Sequence, residues 1–260
     1  MSPSDSIRLT AVPLARYEAG AGKRVVALFT REMGQARVFA RHSGKKAKTF
    51  ALSPYTTYAV LVRPAKASKD SKGIPELREH QVEKARPCLA GGKKLSAWVT
   101  ASVLAELLID TTEVGEPHPY LFDMLEEALD RLEEGVACAD LLIAFILKFL
   151  EHTGYKPRLD TGNSQKKKFL FDVGSGGIGT SKKSSFEEEI VPPPKTRFML
   201  GGETIVKLEK LRGARFSTLT ETCFSAKEAQ RLLEMLGAYV EYHFETNLKS
   251  LWVWREMAGE

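Results

Sequence analysis

The sequence predicts an α+β protein in which an N-terminal β-barrel is followed by an all-helical domain that carries a loop-rich insertion. Three observations support this prediction. Short β-rich segments fill the first eighty residues, a helical hydrophobic period begins near residue 78, and residues 155–200 are rich in glycine, proline and lysine. We therefore expect a barrel domain over residues 1–80 and a helical domain over residues 81–260, with the insertion at about 155–200.

The strands of the predicted barrel are short and closely spaced. Turns rich in glycine, proline and lysine separate them, and this spacing favours a small barrel over βαβ units. Residues 64–73 are predicted to be a loop between two strands. The segments that we interpret as strands are residues 7–12, 24–30, 35–41 and 57–63 in the barrel and residues 169–173 in the insertion.

The predicted helices are indicated by apolar stripes at helical spacing. Two amphipathic stripes cover residues 95–110 and 121–132, whereas residues 139–150 are apolar nearly all round and are expected to form a buried central helix. A last helix is predicted to run from Ser225, which forms a capping-box pattern with Glu228, to about residue 248.

The composition fits a globular protein of a reducing compartment. The chain has 260 residues, of which 43% are hydrophobic and 27% charged, and this apolar share is enough for a core. It contains neither an apolar run of about eighteen residues nor an apolar N-terminal stretch, so we expect no membrane partner and a cytoplasmic location. Because Cys88, Cys138 and Cys223 lie far apart, neither a disulfide framework nor an all-cysteine zinc site is expected.

Charge is unevenly distributed along the chain, although the net charge is only +5. Residues 1–94 contain 19 lysines and arginines against 7 aspartates and glutamates, whereas residues 95–160 contain 4 against 13. This asymmetry indicates a basic module suited to nucleic acid and an acidic module suited to protein partners. The alternative is an ordinary fluctuation of surface charge.

Motifs of enzymes and cofactor sites are incomplete in this sequence. Residues 174–179 match GxGxxG, but no helical stripe follows them, so we interpret them as a loop. The five histidines lack metal-ligand spacing, and adjacent glutamates such as Glu126–Glu127 and Glu133–Glu134 are interpreted as solvated helix faces. The sequence therefore predicts no enzyme, no cofactor and no metal.

A basic cluster on one predicted strand is the strongest functional signal. Residues 31–48 contain six lysines and arginines, and Glu32 is the one acidic residue among them. On an alternating strand Arg37, Phe39 and Arg41 share one face, opposite Val38. Cations neutralise phosphates and a ring stacks on an unpaired base, which predicts a binding surface for single-stranded polynucleotide. The candidate residues are Arg31, Arg37, Phe39, Arg41, Lys45, Lys46 and Lys48.

Two alternatives to this binding surface remain open. Phe39 could belong to the barrel core, in which case the arginines would be ordinary surface charges. Tyr17, Tyr55 and Tyr58 are further stacking candidates, although each of them is better suited to packing.

The order of these elements resembles that of the RecO family of bacterial recombination mediators, over most of the chain. In residues 28–48, a Phe-Thr pair and a glycine precede a strand that runs into a basic loop. Tyr55 follows Pro54, as an aromatic residue usually does in the family. Further matches are residues 105–108, the Gly154-Tyr155-x-Pro157-x-Leu159 segment, and residues 248–250.

The chain also departs from the family pattern at two places. His42 and Gly44 replace a usual glycine and a usual basic residue, although the lysines that follow restore the charge. Many family members carry a four-cysteine zinc site in the insertion, whereas the matching regions near residues 162–165 and 180–183 contain no cysteine. We therefore expect an insertion without zinc.

The resemblance implies an OB-fold for the barrel and a nucleoid-associated protein that acts on DNA without ATP. It implies binding of single- and double-stranded DNA, annealing of complementary strands, and contact with the C-terminal tail of single-strand-binding protein. It also implies cooperation with RecR in loading RecA. Lys148 on the buried helix is the candidate for the tail contact. The alternatives are an OB-fold scaffold for proteins and an RNA chaperone.

Overall fold

The computed structural model describes residues 6–18, 23–41, 52–65, 73–136, 138–161, 168–178, 196–219 and 222–258. The chain forms two compact units, Met1–Gly135 and Val136–Glu260. The barrel and the first three helices lie in the first unit. The sequence-based division near residue 80, which separates strands from helices along the chain, stays a prediction.

Five strands form a closed barrel in the first unit, in the order β1-β2-β3-β5-β4. All neighbouring strands are antiparallel except β3 and β5, which are parallel and pair at Phe39 and Glu76. The barrel confirms the predicted α+β class. The strands are β1 (Ile7–Glu18), β2 (Lys23–Thr30), β3 (Gly34–Arg41), β4 (Thr57–Arg63) and β5 (Glu76–Lys84). The expected change to helical structure near residue 78 is wrong, because β5 pairs with β4 as far as Lys84.

The interior of the barrel is filled by alternate residues of its strands. Val26 and Leu28 of β2 meet Val38 and Ala40 of β3, and all four are buried. Burial of each of the valine and leucine side chains contributes roughly 1.5–3 kcal/mol. The intervening residues of β2 and β3 therefore form the outer face.

Helices cover one end of this outer face. Phe29 of β2 is buried against Phe122, with ring centroids 6.4 Å apart. Glu116, which lies just before the helix that contains Phe122, contacts the turn between β2 and β3 at Gly34. Gly34 has a φ of 60°. A Cβ atom on Gly34 would lie 1.8 Å from the carbonyl oxygen of Glu116, so this turn requires glycine. The helices are α1 (Pro87–Ala90), α2 (Leu95–Thr111) and α3 (Pro119–Glu134).

The acidic side chains of α3 bind groups of the barrel and of α1. Arg86, after β5, is 1% exposed and donates to the carboxylates of Glu126 and Asp130 at 3.0 and 2.8 Å. The carboxylate of Glu133 accepts the backbone N–H groups of Cys88 and Leu89 in the first turn of α1, both at 3.0 Å. The interpretation of Glu126 and Glu133 as solvated residues is therefore wrong, because a buried guanidinium and a bare helix end require acceptors.

The second unit is built around one buried helix, as predicted. Residues 141–147 of this helix are completely buried. The capping box between Ser225 and Glu228 is present, but the helix that it begins ends at Phe244, and a separate helix follows. The helices are α4 (Cys138–His152), α5 (Gly202–Gly213), α6 (Ala226–Phe244) and α7 (Lys249–Ala258), of which α5 and α7 were not predicted. In the described part of the chain, none of the helices combines the length and the apolar character needed to cross a membrane.

A small antiparallel sheet occupies the region of the predicted loop-rich insertion. Its strands are β6 (Lys168–Asp172), β7 (Gly177–Ile178) and β8 (Arg197–Gly201), in the order β7-β6-β8. The Asp172 carboxylate accepts the N–H of Ser175 at 2.8 Å and the Nε–H of Arg197 at 3.1 Å. Phe171 is buried beside Tyr239 of α6, with ring centroids 5.7 Å apart. The described part of the glycine-rich segment is thus an ordered hairpin rather than an irregular loop.

Candidate nucleic-acid interface

The outer surface of β1, β2 and β3 combines aromatic and basic positions. Strand pairing places Tyr17 beside Val25 and Val25 beside Phe39, so these three residues form one row across the strands. A second row contains Ala15, Ala27 and Arg37, and a third pairs Lys23 with Arg41. We call the surface formed by these eight positions the barrel face.

The predicted alternation of β3 is confirmed by burial. Val38 and Ala40 are 1% and 6% exposed and belong to the barrel core, whereas Arg37 is exposed and Phe39 is half-buried on the other side. Phe39 is therefore not a core residue of the barrel. Arg37, Phe39 and Arg41 occupy one face of the strand, as the period of two requires.

Tyr17 is the residue that sequence reasoning undervalued. Its side chain is 45% exposed, whereas Tyr55 and Tyr58 are buried and serve as packing residues. Burial raises the pKa of Tyr55, and this effect outweighs its hydrogen bond with Ser102. The charged neighbours Arg16 and Glu18 could have indicated that Tyr17 is exposed, because a strand end flanked by charges extends beyond the barrel core.

Arg31 lies apart from the other arginines of the basic cluster. It follows β2 in the tight turn, roughly 13 Å along the strand from the row of Arg37. Its guanidinium pairs with the carboxylate of Asp123 on α3. Among the described residues, no carboxylate pairs with Arg37. The structure thus brings Arg37, Phe39 and Arg41 together but not Arg31, while Lys45, Lys46 and Lys48 lie outside the described residues.

The acidic helix α3 compensates positive charge at one side of the barrel. Asp123 pairs with Arg31, and Asp130 pairs with both Lys84 and Arg86. The exposed guanidinium of Arg37 lies outside this set of pairs. The barrel face therefore carries positive charge that is available to an anionic polymer.

Lys148 is engaged within the second unit. Its ammonium group donates to the carbonyl oxygen of Arg212, near the end of α5, at 2.6 Å. The same Nζ atom lies 5.8 Å from the centre of the Phe216 ring. Lys148 thus satisfies a carbonyl at a helix C-terminus, where a cation is electrostatically favourable.

The arrangement of the barrel face is suited to binding rather than to chemistry. The exposed cation of Arg37 attracts phosphates, and the exposed ring of Tyr17 and the half-buried ring of Phe39 offer flat apolar surfaces. A closed five-stranded barrel with such a face, followed by a helical region, defines a protein of the OB-fold class.

Comparison with known proteins identifies the family. Residues 93–251 match the family model described as Recombination protein O C terminal. The DNA repair protein RecO of Anaeromyxobacter sp. (strain K) is 28% identical over 251 residues, which cover 94% of each chain. RecO of Myxococcus xanthus is 28% identical over 93% of each chain, and RecO of Anaeromyxobacter sp. (strain Fw109-5) is 31% identical over 67% of this chain and 69% of its own. The chain belongs to the RecO family, whose role lies in DNA repair and recombination.

Proposed function

We propose that this protein is a recombination mediator whose barrel face binds single- and double-stranded DNA. The observation that carries the proposal is that the exposed Arg37 lies two residues from Phe39 on β3, on a face to which β1 contributes the exposed Tyr17. The cations bind the phosphate backbone of either form of DNA, and binding weakens as salt rises because counterions are released.

Annealing of complementary strands follows from the same surface. Two DNA backbones repel each other, and a basic surface that holds both lowers this repulsion without any covalent step. The protein therefore acts without ATP or another cofactor, without a metal, and as a mediator rather than an enzyme. Its place of action is the cytoplasm, at the nucleoid.

Membership of the RecO family supports a proposal about the partners of this mediator. It works with RecR to load RecA on strands coated by single-strand-binding protein. The C-terminal tail of single-strand-binding protein docks on the helical region, with Lys148 as the candidate contact. Because Lys148 already binds the Arg212 carbonyl, tail binding has to compete with that hydrogen bond or use the remaining protons of the ammonium group.

Fluorescence anisotropy tests the DNA-binding proposal. Labelled single strands are titrated with the full chain across a salt series, and the variant in which Arg37 and Arg41 are both changed to Ala is compared with Arg231→Ala. Arg231 is exposed on α6 in the second unit, so its change to Ala removes one positive charge outside the barrel face, against two in the double variant. The double variant is expected to weaken binding and to reduce the slope of log K against log salt by about 1.4, while Arg231→Ala keeps both.

Three other outcomes contradict the proposal. No binding at low salt favours a protein scaffold, a clear preference for RNA favours an RNA chaperone, and an unchanged double variant removes the barrel face from the site. The annealing step is tested with complementary strands coated with single-strand-binding protein, in the absence of nucleotide. Absence of acceleration there contradicts the mediator function.

A further inference from the structure

We infer that Tyr17 and Phe39 form a paired stacking platform, which makes the barrel face prefer unpaired DNA bases over duplex DNA. This inference rests on the proposed DNA binding and adds the form of DNA that the site selects. It depends on two residues that lie far apart in the sequence and are brought together only by the barrel.

The platform is defined by strand pairing. Tyr17 of β1 and Phe39 of β3 are both in register with Val25 of β2, one on each side. Neighbouring strands are about 4.8 Å apart, so the two aromatic residues are separated by about 10 Å across the sheet. Val25, which lies between them on β2, is only 8% exposed, so its side chain projects little from the surface. The two rings therefore rise from the same face of one three-stranded surface.

Exposure distinguishes this pair from the other aromatic residues of the barrel. Tyr55 and Tyr58 are buried, and Phe29 is covered by Phe122 of α3, whereas Tyr17 is exposed and Phe39 is half-buried. The rings of Tyr17 and Phe39 thus remain accessible on the same surface as the exposed Arg37. An exposed ring beside a cation offers one group for a base and another for the adjacent phosphate.

Basic positions lie on both sides of the aromatic row. Arg37 is two residues from Phe39 along β3, at about 6.7 Å, and Arg41 is two residues away in the other direction. Lys23 is the strand partner of Arg41. A polynucleotide that runs along β3 therefore passes a basic position, the ring of Phe39 and a second basic position.

Selectivity follows because the two kinds of contact respond differently to base pairing. The arginines bind phosphates of single-stranded and duplex DNA alike. The π-face of a base is free to stack only where the base is unpaired or at the end of a duplex. Loss of a ring is therefore expected to weaken single-strand binding by roughly tenfold, while duplex binding stays within about twofold.

The test compares Tyr17→Leu and Tyr17→Phe in the full chain, with single-stranded and duplex DNA of equal length at one salt concentration. Tyr17→Leu is expected to lose about tenfold in single-strand affinity, and Tyr17→Phe is expected to keep it because its ring remains. Tyr120→Leu removes an equally exposed tyrosine from α3 and serves as the matched control. Phe39→Leu is expected to act in the same direction as Tyr17→Leu.

A second readout separates stacking from a structural effect. A fluorescent adenine analogue placed in the single strand is expected to be quenched by the wild-type chain and less so by Tyr17→Leu. The slope of log K against log salt is expected to be the same for both proteins, since no cation is removed.

The outcomes distinguish this inference from the proposed function. Equal losses for single-stranded and duplex DNA, or an unchanged single-strand affinity in Tyr17→Leu, overturn the platform while DNA binding stands. Absence of DNA binding by the wild-type chain overturns both. Because Tyr17 is exposed, its substitution is not expected to unfold the barrel, and thermal unfolding of each variant checks this.

Discussion

The guanidinium of Arg86 donates to the carboxylate of Asp130 at 2.8 Å, and through this contact the end of β5 is joined to α3 inside the first unit. The same side chain reaches the carbonyl oxygen of Tyr55 at 2.9 Å and the carboxylate of Glu126 at 3.0 Å. Arg86 thus satisfies acceptors on α3 and beside β4 from one buried position. Two of the carboxylates of the acidic helix α3 are thus bound by a cation of the basic segment that precedes it.

Arg86→Met is expected to destabilise the protein by about 3–5 kcal/mol, because it leaves Glu126 and Asp130 without their buried partner. Arg78→Ala removes an arginine that pairs with Glu76 at the surface and is expected to cost about 1 kcal/mol or less. Denaturant unfolding of both variants measures the difference. Equal midpoints for the two variants would mean that the Arg86 network adds no stability beyond that of a surface pair.

Gly34→Ala is expected to destabilise the first unit severely, since the new Cβ would overlap the carbonyl of Glu116. Gly115→Ala is the matched control, because Gly115 also has a positive φ, of 86°, but no atom lies within 4 Å of its ideal Cβ position. The control is expected to cost only the backbone strain, about 1–2 kcal/mol. A similar loss of thermal stability in both variants contradicts the tight docking of the turn.

Glu133 is expected to make stability depend on pH in the acid range. Burial raises the pKa of its carboxyl, but the N–H groups of Cys88 and Leu89 and the charge of Arg86 outweigh burial and hold the pKa below its ordinary value of 4.5. A lowered folded-state pKa gives stability that is present above the unfolded value and is lost as pH falls through the folded value.

Glu133→Gln is therefore expected to cost about 1 kcal/mol at neutral pH and progressively less as the solution is acidified below pH 4.5. Glu134→Gln, at an exposed side chain, serves as the control. Urea unfolding from neutral pH to about pH 3 measures the dependence. A cost that does not change with pH contradicts the role of the charged form.

Asp140 on α4 is expected to show the opposite sign. Burial raises the pKa of its carboxyl despite the hydrogen bonds from Cys223 and Phe224. Stability linked to a raised pKa is present below the unfolded value and is lost as pH rises through the folded value. Asp140→Asn keeps an acceptor without the charge, so it is expected to be at least as stable as wild type at neutral pH.

Asp140→Ala separates the acceptor from the charge. It removes the acceptor of the Cys223 N–H and is expected to cost about 1–3 kcal/mol at acid pH. The cost is expected to fall as pH rises, because the wild type then loses the stability linked to the raised pKa. Thermal unfolding at several pH values compares the two variants. Equal destabilisation by Asn and Ala at neutral pH would contradict the penalty on the charged carboxylate.

A local pattern predicted the β3 part of the barrel face, whereas pairing between residues distant in the sequence determines the rest. The positions of Arg37, Phe39 and Arg41 follow from the period of two along a single strand. The partners of Arg86 are 40 or more residues away on α3, so the sequence offered no signal that Glu126 is not a solvated residue. Acidic side chains on an amphipathic helix look the same in the sequence, whether they face water or a guanidinium.

Two further elements were only partly predicted, for physical reasons. The strand β5 has the sequence Glu-Leu-Arg-Glu-His-Gln-Val-Glu-Lys, in which Leu77 is the one buried apolar side chain, so its strand period is hidden. Pairing with β4 determines its conformation. The small sheet of the second unit has strands of two to five residues, of which only β6 was predicted. The strand β8 joins β6 by pairing between distant residues, including the contact of Arg197 with Asp172.

The parallel contact between β3 and β5 has a consequence for local opening of the barrel. The N–H of Phe39 donates to the carbonyl of Pro75 at 2.7 Å, and the register joins Phe39 to Glu76. A seam with so little pairing is expected to open before the antiparallel strands separate. The hydrogen-exchange rate of the Phe39 amide would then measure local opening between β3 and β5. Bound single-stranded DNA is expected to slow this exchange. The backbone position that closes the barrel also presents the ring, so ligand occupancy and barrel closure are thermodynamically linked.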